Sequence, residues 1–220
     1  MLLIFDCDGV LVDSEPLACR VDEEVLGGLG FPITAEDIRR RYIGKSLKDM
    51  IAGIEAEHGR RLPEDFGVRL NATLLERFRS ELQPIAGVRD AVLALPARRC
   101  VASSSLPERI ALSLMVTGLI DLFDHRFSSA QVARGKPAPD LFLFAADRMG
   151  APPQDCIVIE DSVYGVEAAR AAGMRVIGFT GGGHCGPEHG DALQARGADA
   201  VIGTMGQLGD AVRSVAGGSV

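Results

Sequence analysis

No run rich in lysine or arginine occurs in this 220-residue chain, whose formal net charge is −7. That argues against a nucleic-acid or membrane-surface partner. An acidic protein still binds anions, but only where cations are placed locally. No apolar stretch reaches membrane-spanning length. The first apolar run, residues 2–5, is short and lacks a basic leader, so no signal peptide is expected. Cys-x-x-Cys pairs are also missing. The five cysteines, Cys7, Cys19, Cys100, Cys156 and Cys185, are odd in number and widely spaced. They read as reduced, mostly buried thiols of a cytosolic protein, without the ligand spacing of a zinc module. Internal repeats and low-complexity segments are absent, apart from a mild Gly/Ser tail at 217–219. A monomer is the default expectation.

What the chain does have is apolar content, 47% of residues, enough for a real core in one large domain or one domain with an insertion. It is organised around residues 2–13. Leu2 to Phe5 reads as a fully buried strand. Asp6 and Asp8 follow at i and i+2, so in extended backbone both leave the same face and converge on one point. Gly9 then turns the chain away. Two buried acids at a strand end are costly unless a cation offsets them. Alone, Asp-x-Asp-Gly could equally be a solvated turn.

The rest of the chain supplies partners. Residues 14–83 read as all-helical. Pro16 lies in the first turn of a helix running on through Leu17 to Leu29, Thr34 with Asp37 caps a second, Ser46 opens a third through about His58, and Pro63 starts a fourth to about Leu82. From Pro84 the pattern alternates. Strands are expected at 99–103, weakly at 127–129, and at 156–160, 175–179 and 200–202. Helices are expected at 87–95, 107–116, 139–149 and 163–172, from about Pro187, and from Met205. Alternation predicts a doubly wound α/β core, a parallel sheet covered on both faces. The core would be residues 1–13 and 84–220, with 14–83 an inserted helical cap over the sheet's carboxyl edge, where such sheets bind ligands.

Four segments then meet at one rim: Asp6 and Asp8; Ser103-Ser104-Ser105; Lys136, stiffened by Pro137; and Glu160-Asp161. Acids, a hydroxyl and an amine suit Mg²⁺ and a phosphoryl group. In that reading Asp6 attacks phosphorus, ionised at an ordinary pKa of about 3.9. Asp8 carries a proton for the leaving alcohol, its pKa raised by neighbouring carboxylates. Ser103 and Ser104 with backbone N–H groups bind phosphate, and Lys136 neutralises transition-state charge. Asp6, Asp8 (through a carbonyl near it), Glu160 and Asp161 surround the metal. Taken singly, each has a plainer reading: a capping serine, a solvated lysine, acids answering a helix dipole. The set in this order makes coincidence the poorer account.

The segments Asp6-Cys7-Asp8-Gly9-Val10-Leu11-Val12-Asp13-Ser14-Glu15, Val101 to Ser105, Gly135-Lys136-Pro137-Ala138-Pro139-Asp140 and Ile159 to Val166 resemble the four motifs of the haloacid-dehalogenase superfamily. The helical insertion resembles the small cap of its β-phosphoglucomutase-like branch. The resemblance implies a doubly wound core, Mg²⁺ dependence and an aspartyl-phosphate mechanism with Asp6 as nucleophile and Asp8 as acid/base. Dehalogenases lack the second acid, so Asp8 points to phosphate-ester chemistry. True mutases of that branch carry a His early in the cap and an Arg after its Gly-x-Ser turn. Ala18 and Leu47 stand in those places, which favours a phosphatase over a mutase. Gly44, Lys45 and Ser46 keep the shape of the cap's substrate loop, with Lys45 facing either the site or solvent. The expected substrate is a small phosphorylated metabolite, a sugar or sugar-acid phosphate as in 6-phosphogluconate phosphatases. A protein that binds such a metabolite without turnover is the non-enzymatic alternative. Gly181 to Gly183 reads as a flexible connection, since it lacks the Lys-Ser/Thr of a phosphate loop. None of the four histidines is assigned a catalytic role.

Overall fold

Leu2 to Phe5 is flanked on both sides by other strands and covered on both faces, which is why it has no polar residue to spare. The computed structural model describes residues 1–43 and 47–217. Its sheet has six strands: β1 Leu2–Phe5, β2 Arg98–Ser103, β3 Arg126–Ser128, β4 Cys156–Glu160, β5 Arg175–Phe179 and β6 Ala200–Ile202. They lie in the order β3-β2-β1-β4-β5-β6, and every pairing is parallel. The chain winds outward through β2 and β3, then returns across β1 and winds the other way. β1 therefore marks the reversal of strand order, where open α/β sheets form their ligand crevice.

The period of two along β1 sorts its side chains cleanly. Leu3 and Phe5 join one apolar cluster with Ile157, Ile159 and Phe123. Leu2 and Ile4 join the other with Cys100, Val158 and Phe142. The second cluster is covered by α7 Asp140–Arg148, α8 Val163–Ala171 and α9 His189–Ala195; the first by α5 Val88–Leu93, α6 Pro107–Val116 and α10 Leu208–Gly217.

Between β1 and β2 the chain makes α1 Ser14–Gly28, α2 Ala35–Tyr42, α3 Leu47–His58 and α4 Phe66–Glu81. It leaves and returns side by side. The Asp13 N–H donates to the Gln83 carbonyl at 2.9 Å, and the Ile85 N–H to the Leu11 carbonyl at 3.0 Å. Thr34 and Asp37 form the expected capping box on α2. α4 begins at Phe66 rather than Pro63, because the Phe66 N–H turns back to the Pro63 carbonyl at 3.0 Å. α10 begins at Leu208, after a tight turn at 205–207 closed by Thr204 and Gln207. The apolar cluster on the Phe5 face continues without a break into Leu17, Phe66 and Phe78 of the helical block.

Candidate active site

The register of the three central strands levels their carboxyl ends. Phe5 pairs with Val101 on one side and with Ile159 on the other. The residues just beyond are Asp6, Ser103 and Glu160-Asp161, so one rim collects them. The Asp6 N–H extends the ladder to the Ile159 carbonyl at 3.0 Å.

Lys136 arrives from the loop before α7 and is buried among them. Its Nζ donates to Asp6 Oδ1 at 3.0 Å, Glu160 Oε1 at 2.6 Å and the Ala102 carbonyl at 3.2 Å. All three ammonium protons thus have acceptors. Burial would lower the Lys136 pKa, but Asp6 and Glu160 outweigh it and raise it. The other Glu160 oxygen, Oε2, accepts from the Ser162 N–H at 2.7 Å and the Ser162 hydroxyl at 2.9 Å. Ser162 in turn caps α8 through the Gly165 N–H at 3.0 Å.

Oxygens of Asp6, Glu160 and Asp161 all lie within 4.8 Å of one another. Three buried carboxylates here face one lysine and one imidazole. Burial, followed by the countervailing pull of Lys136 and the push of the neighbouring acids, leaves the Asp6 pKa well above the usual carboxylate range. The ordinary pKa expected for Asp6 therefore does not hold for these groups alone. An all-oxygen, charge-excess donor set of this kind fits a hard divalent cation such as Mg²⁺.

Asp8 departs from the sequence expectation in two ways. Its carboxylate is not among the converging three. Instead Oδ1 accepts from the Ser14 hydroxyl at 2.7 Å and Arg109 Nη2 at 3.1 Å, and Oδ2 from the Ser105 hydroxyl at 2.6 Å. Burial acts to raise its pKa, yet Arg109 and the two hydroxyls outweigh that, and the group sits below the usual value. The carboxylate crowding expected to raise it is felt by Asp6 instead. Ser103 is buried, its Oγ accepting from the Ser105 N–H at 3.1 Å. Ser104 is exposed at the mouth, with its carbonyl taking the Ser129 hydroxyl at 2.7 Å. Gly44, Lys45 and Ser46 lie outside the described residues.

Two groups that sequence reading left unassigned join the site. Arg109 stands two residues inside α6, and only the fold brings it to Asp8. His184 follows the glycine run, is buried, and its Nε2 lies 3.0 Å from Asp161 Oδ2. Burial opposes the His184 proton, but Asp161 and Cys185 raise its pKa to about 10. The glycine run is not a loose connection. The Gly183 N–H donates to Asp13 Oδ1 at 2.8 Å. A Cβ on Gly183 would sit 2.9 Å from Asp13 Oδ2, and one on Gly182 3.0 Å from the Gly9 carbonyl. These glycines are there because the backbone passes too close for a side chain. Gly9 itself combines φ of 76° with a Cβ position 1.9 Å from Asp161 Oδ2.

Over this rim lies a cavity of about 620 Å³, roofed by the four helices and floored by Asp6, Asp8, Ser103, Lys136 and Asp161. That is the size of small-molecule pockets. Its helical wall carries Glu15 and Asp22, each pushed up to about 7 chiefly by burial. Among the described residues lining it from 14 to 83 there is no lysine or arginine.

The family description "haloacid dehalogenase-like hydrolase" matches residues 1–173. The chain belongs to that family. A curated relative, the 6-phosphogluconate phosphatase of Escherichia coli, is 32% identical over 187 residues, 84% of this chain and 85% of its own length. The fructose-1-phosphate phosphatase of the same organism is 33% identical over 177 residues, 80% of this chain and 94% of its own. A haloacid dehalogenase-like protein from Agrobacterium tumefaciens has a crystal structure that superposes with a TM-score of 0.89. It is 39% identical and covers 98% of both chains. This haloacid dehalogenase-like hydrolase is thus an enzyme of the phosphoric monoester hydrolase kind.

Proposed function

We propose that the hydrolase is a Mg²⁺-dependent phosphatase for the phosphate ester of a small sugar or polyol that carries no other charge, acting through an aspartyl-phosphate on Asp6. Asp6, Glu160 and Asp161 would hold the cation. When bound, it would offset the repulsion between the anionic nucleophile and the anionic phosphate. Lys136 fixes Asp6 for attack and neutralises charge on the transferring group. Ser103 would bind the phosphate oxygens. Asp8 stands outside the converging three but lines the same cavity, where the leaving alcohol needs a proton and the incoming water must lose one. Arg109, Ser14 and Ser105 hold it in place. The helices from 14 to 83 act as the cap that selects the alcohol and excludes bulk water.

The observation that carries the substrate class is the acidic character of the described residues of the cavity's upper wall. Two relatives of equal similarity are named for a sugar acid and for a neutral sugar, so likeness alone does not choose. As they ionise, from about pH 7 upward, Glu15 and Asp22 oppose a carboxylate on the leaving group, and their oxygens suit hydroxyl donors. The mutase reading is disfavoured by Ala18 and Leu47, which both line the cavity and neither of which bonds a second phosphate. The test is inorganic phosphate release from neutral sugar, polyol and sugar-acid phosphates, with Mg²⁺ and with chelator. Release that needs Mg²⁺, is abolished in Asp6→Asn and favours the neutral esters is expected. Metal-independent release, or full turnover by Asp6→Asn, would refute the proposal; retention of phosphate on the sugar would favour the mutase.

A further inference from the structure

A second group of ligating side chains sits beside the carboxylates, and it is of the opposite chemical character. His184, Cys185 and His189 each bring one donor atom to within 4.8 Å of the other two. The Cys185 Sγ lies 4.0 Å from His184 Nδ1, the ring nitrogen not turned to Asp161. Tetrahedral zinc, with bonds of about 2.0 Å to nitrogen and about 2.3 Å to sulfur, sets neighbouring donors roughly 3.5 Å apart. The spacing found, 4.0 Å, is within about 0.5 Å of that.

We propose that His184, Cys185 and His189 form a binding site for a soft divalent cation of the Zn²⁺ type, separate from the hard-cation site at Asp6, Glu160 and Asp161. Thiolate and imidazole select zinc-like ions, whereas carboxylate oxygens select Mg²⁺. Adjacent His and Cys, with a second His four residues on, is not the spacing of a zinc module, so spacing alone does not reveal it. The fold makes the site by turning the loop back on itself. The Cys185 N–H bonds the Gly182 carbonyl at 3.0 Å, and the His189 N–H the Gly186 carbonyl at 3.1 Å.

The outer contacts are those of ligating histidines, which commonly present their second ring nitrogen to a carboxylate or carbonyl. His189 Nε2 lies 2.5 Å from the Asp161 carbonyl. That leaves Nδ1 for an ion. His184 Nε2 lies 3.0 Å from Asp161 Oδ2. His184 is buried while Cys185 and His189 are half-buried, and both histidines line the cavity, so an ion has a way in. Binding needs the thiolate and neutral imidazoles, so it displaces the thiol proton and the extra ring proton of any imidazolium to solvent. The two sites meet at Asp161, which touches both histidines.

Cobalt(II) is the probe, because a cobalt–thiolate bond gives a near-ultraviolet charge-transfer band that oxygen ligands do not. The metal-free full-length protein is titrated with Co²⁺ in excess Mg²⁺, with circular dichroism as the check on folding. A sulfur-to-cobalt band that saturates at one equivalent, is erased by Zn²⁺ and is lost in Cys185→Ser is expected. His189→Gln, a second variant, should weaken or abolish the band with Cys185 intact. No sulfur band in the native protein, or a band unchanged in Cys185→Ser and therefore due to another cysteine, would overturn the proposal. A cobalt spectrum without sulfur that Mg²⁺ erases would do so as well, by placing the ion on the carboxylates.

Discussion

Lys136 is the residue on which the buried charges balance. Replacing it by methionine leaves Asp6 and Glu160 facing each other without their shared cation. Breaking such a buried pair costs about 3–5 kcal/mol, and losing one transition-state donor lowers turnover about 10²–10³-fold. Urea unfolding of the metal-free variant and its kcat measure the two effects separately. Glu15 and Asp22 make a pH prediction. In the folded chain each keeps its proton up to about pH 7, whereas in the unfolded chain a carboxyl loses it near pH 4. The folded state binds more protons between those limits, so this contribution to stability is present at low pH and falls as pH rises through the window. The Glu15→Gln/Asp22→Asn double variant should therefore gain more stability over the native chain at pH 8 than at pH 5, read from paired urea curves. An equal gain at both would mean that neither acid is perturbed. Asp6, Asp8, Lys136 and Glu160-Asp161 were readable as single letters because each stands at a strand end or beside a proline. Arg109 and His184 were not, since one is an ordinary helix residue and the other follows glycines. Only their distances to Asp8 and Asp161 mark them.

At the scale of elements, the start of α8 is a clamp on Glu160. Gly165 lies in its first turn, and a Cβ there would fall 1.9 Å from the Glu160 carboxylate carbon. Alanine in a helix normally stabilises by about 1 kcal/mol over glycine. Here the expected sign is reversed. Gly165→Ala should melt at a lower temperature and lose most of its activity, because Glu160 is forced off Lys136 and Ser162. A variant as stable and active as the native enzyme would show that this contact is loose. The elements themselves were largely open to sequence reading: β4 at Cys156–Glu160 and α6 at Pro107–Val116 fall where the apolar run and the proline at N1 put them. The misplaced ends have local causes. Pro63 was read as a first-turn residue, but it opens a turn that accepts the Phe66 N–H. Gly181 to Gly183 were read as freedom, whereas they mark close approach, and a sequence does not say what a glycine is close to.

At the scale of the molecule, strand order brings β1, β2 and β4 together and leaves their carboxyl ends under a roof of helices. The proposed function puts chemistry on the sheet and selection on the roof, so the two should separate on mutation. Asp22→Asn should raise kcat/KM for a sugar-acid phosphate relative to a neutral one several-fold, with much less effect on turnover of a small generic phosphate ester. A uniform loss on all substrates would place Asp22 in the chemistry instead. The central claim is that Asp6 itself takes up the phosphoryl group. The direct measurement is acid quenching of the enzyme during turnover with Mg²⁺, followed by mass analysis of the peptide containing Asp6. The account predicts a phosphoryl increment on that peptide, absent in Asp6→Asn. Full turnover with no increment on any quench time, or an increment on another residue, would contradict it.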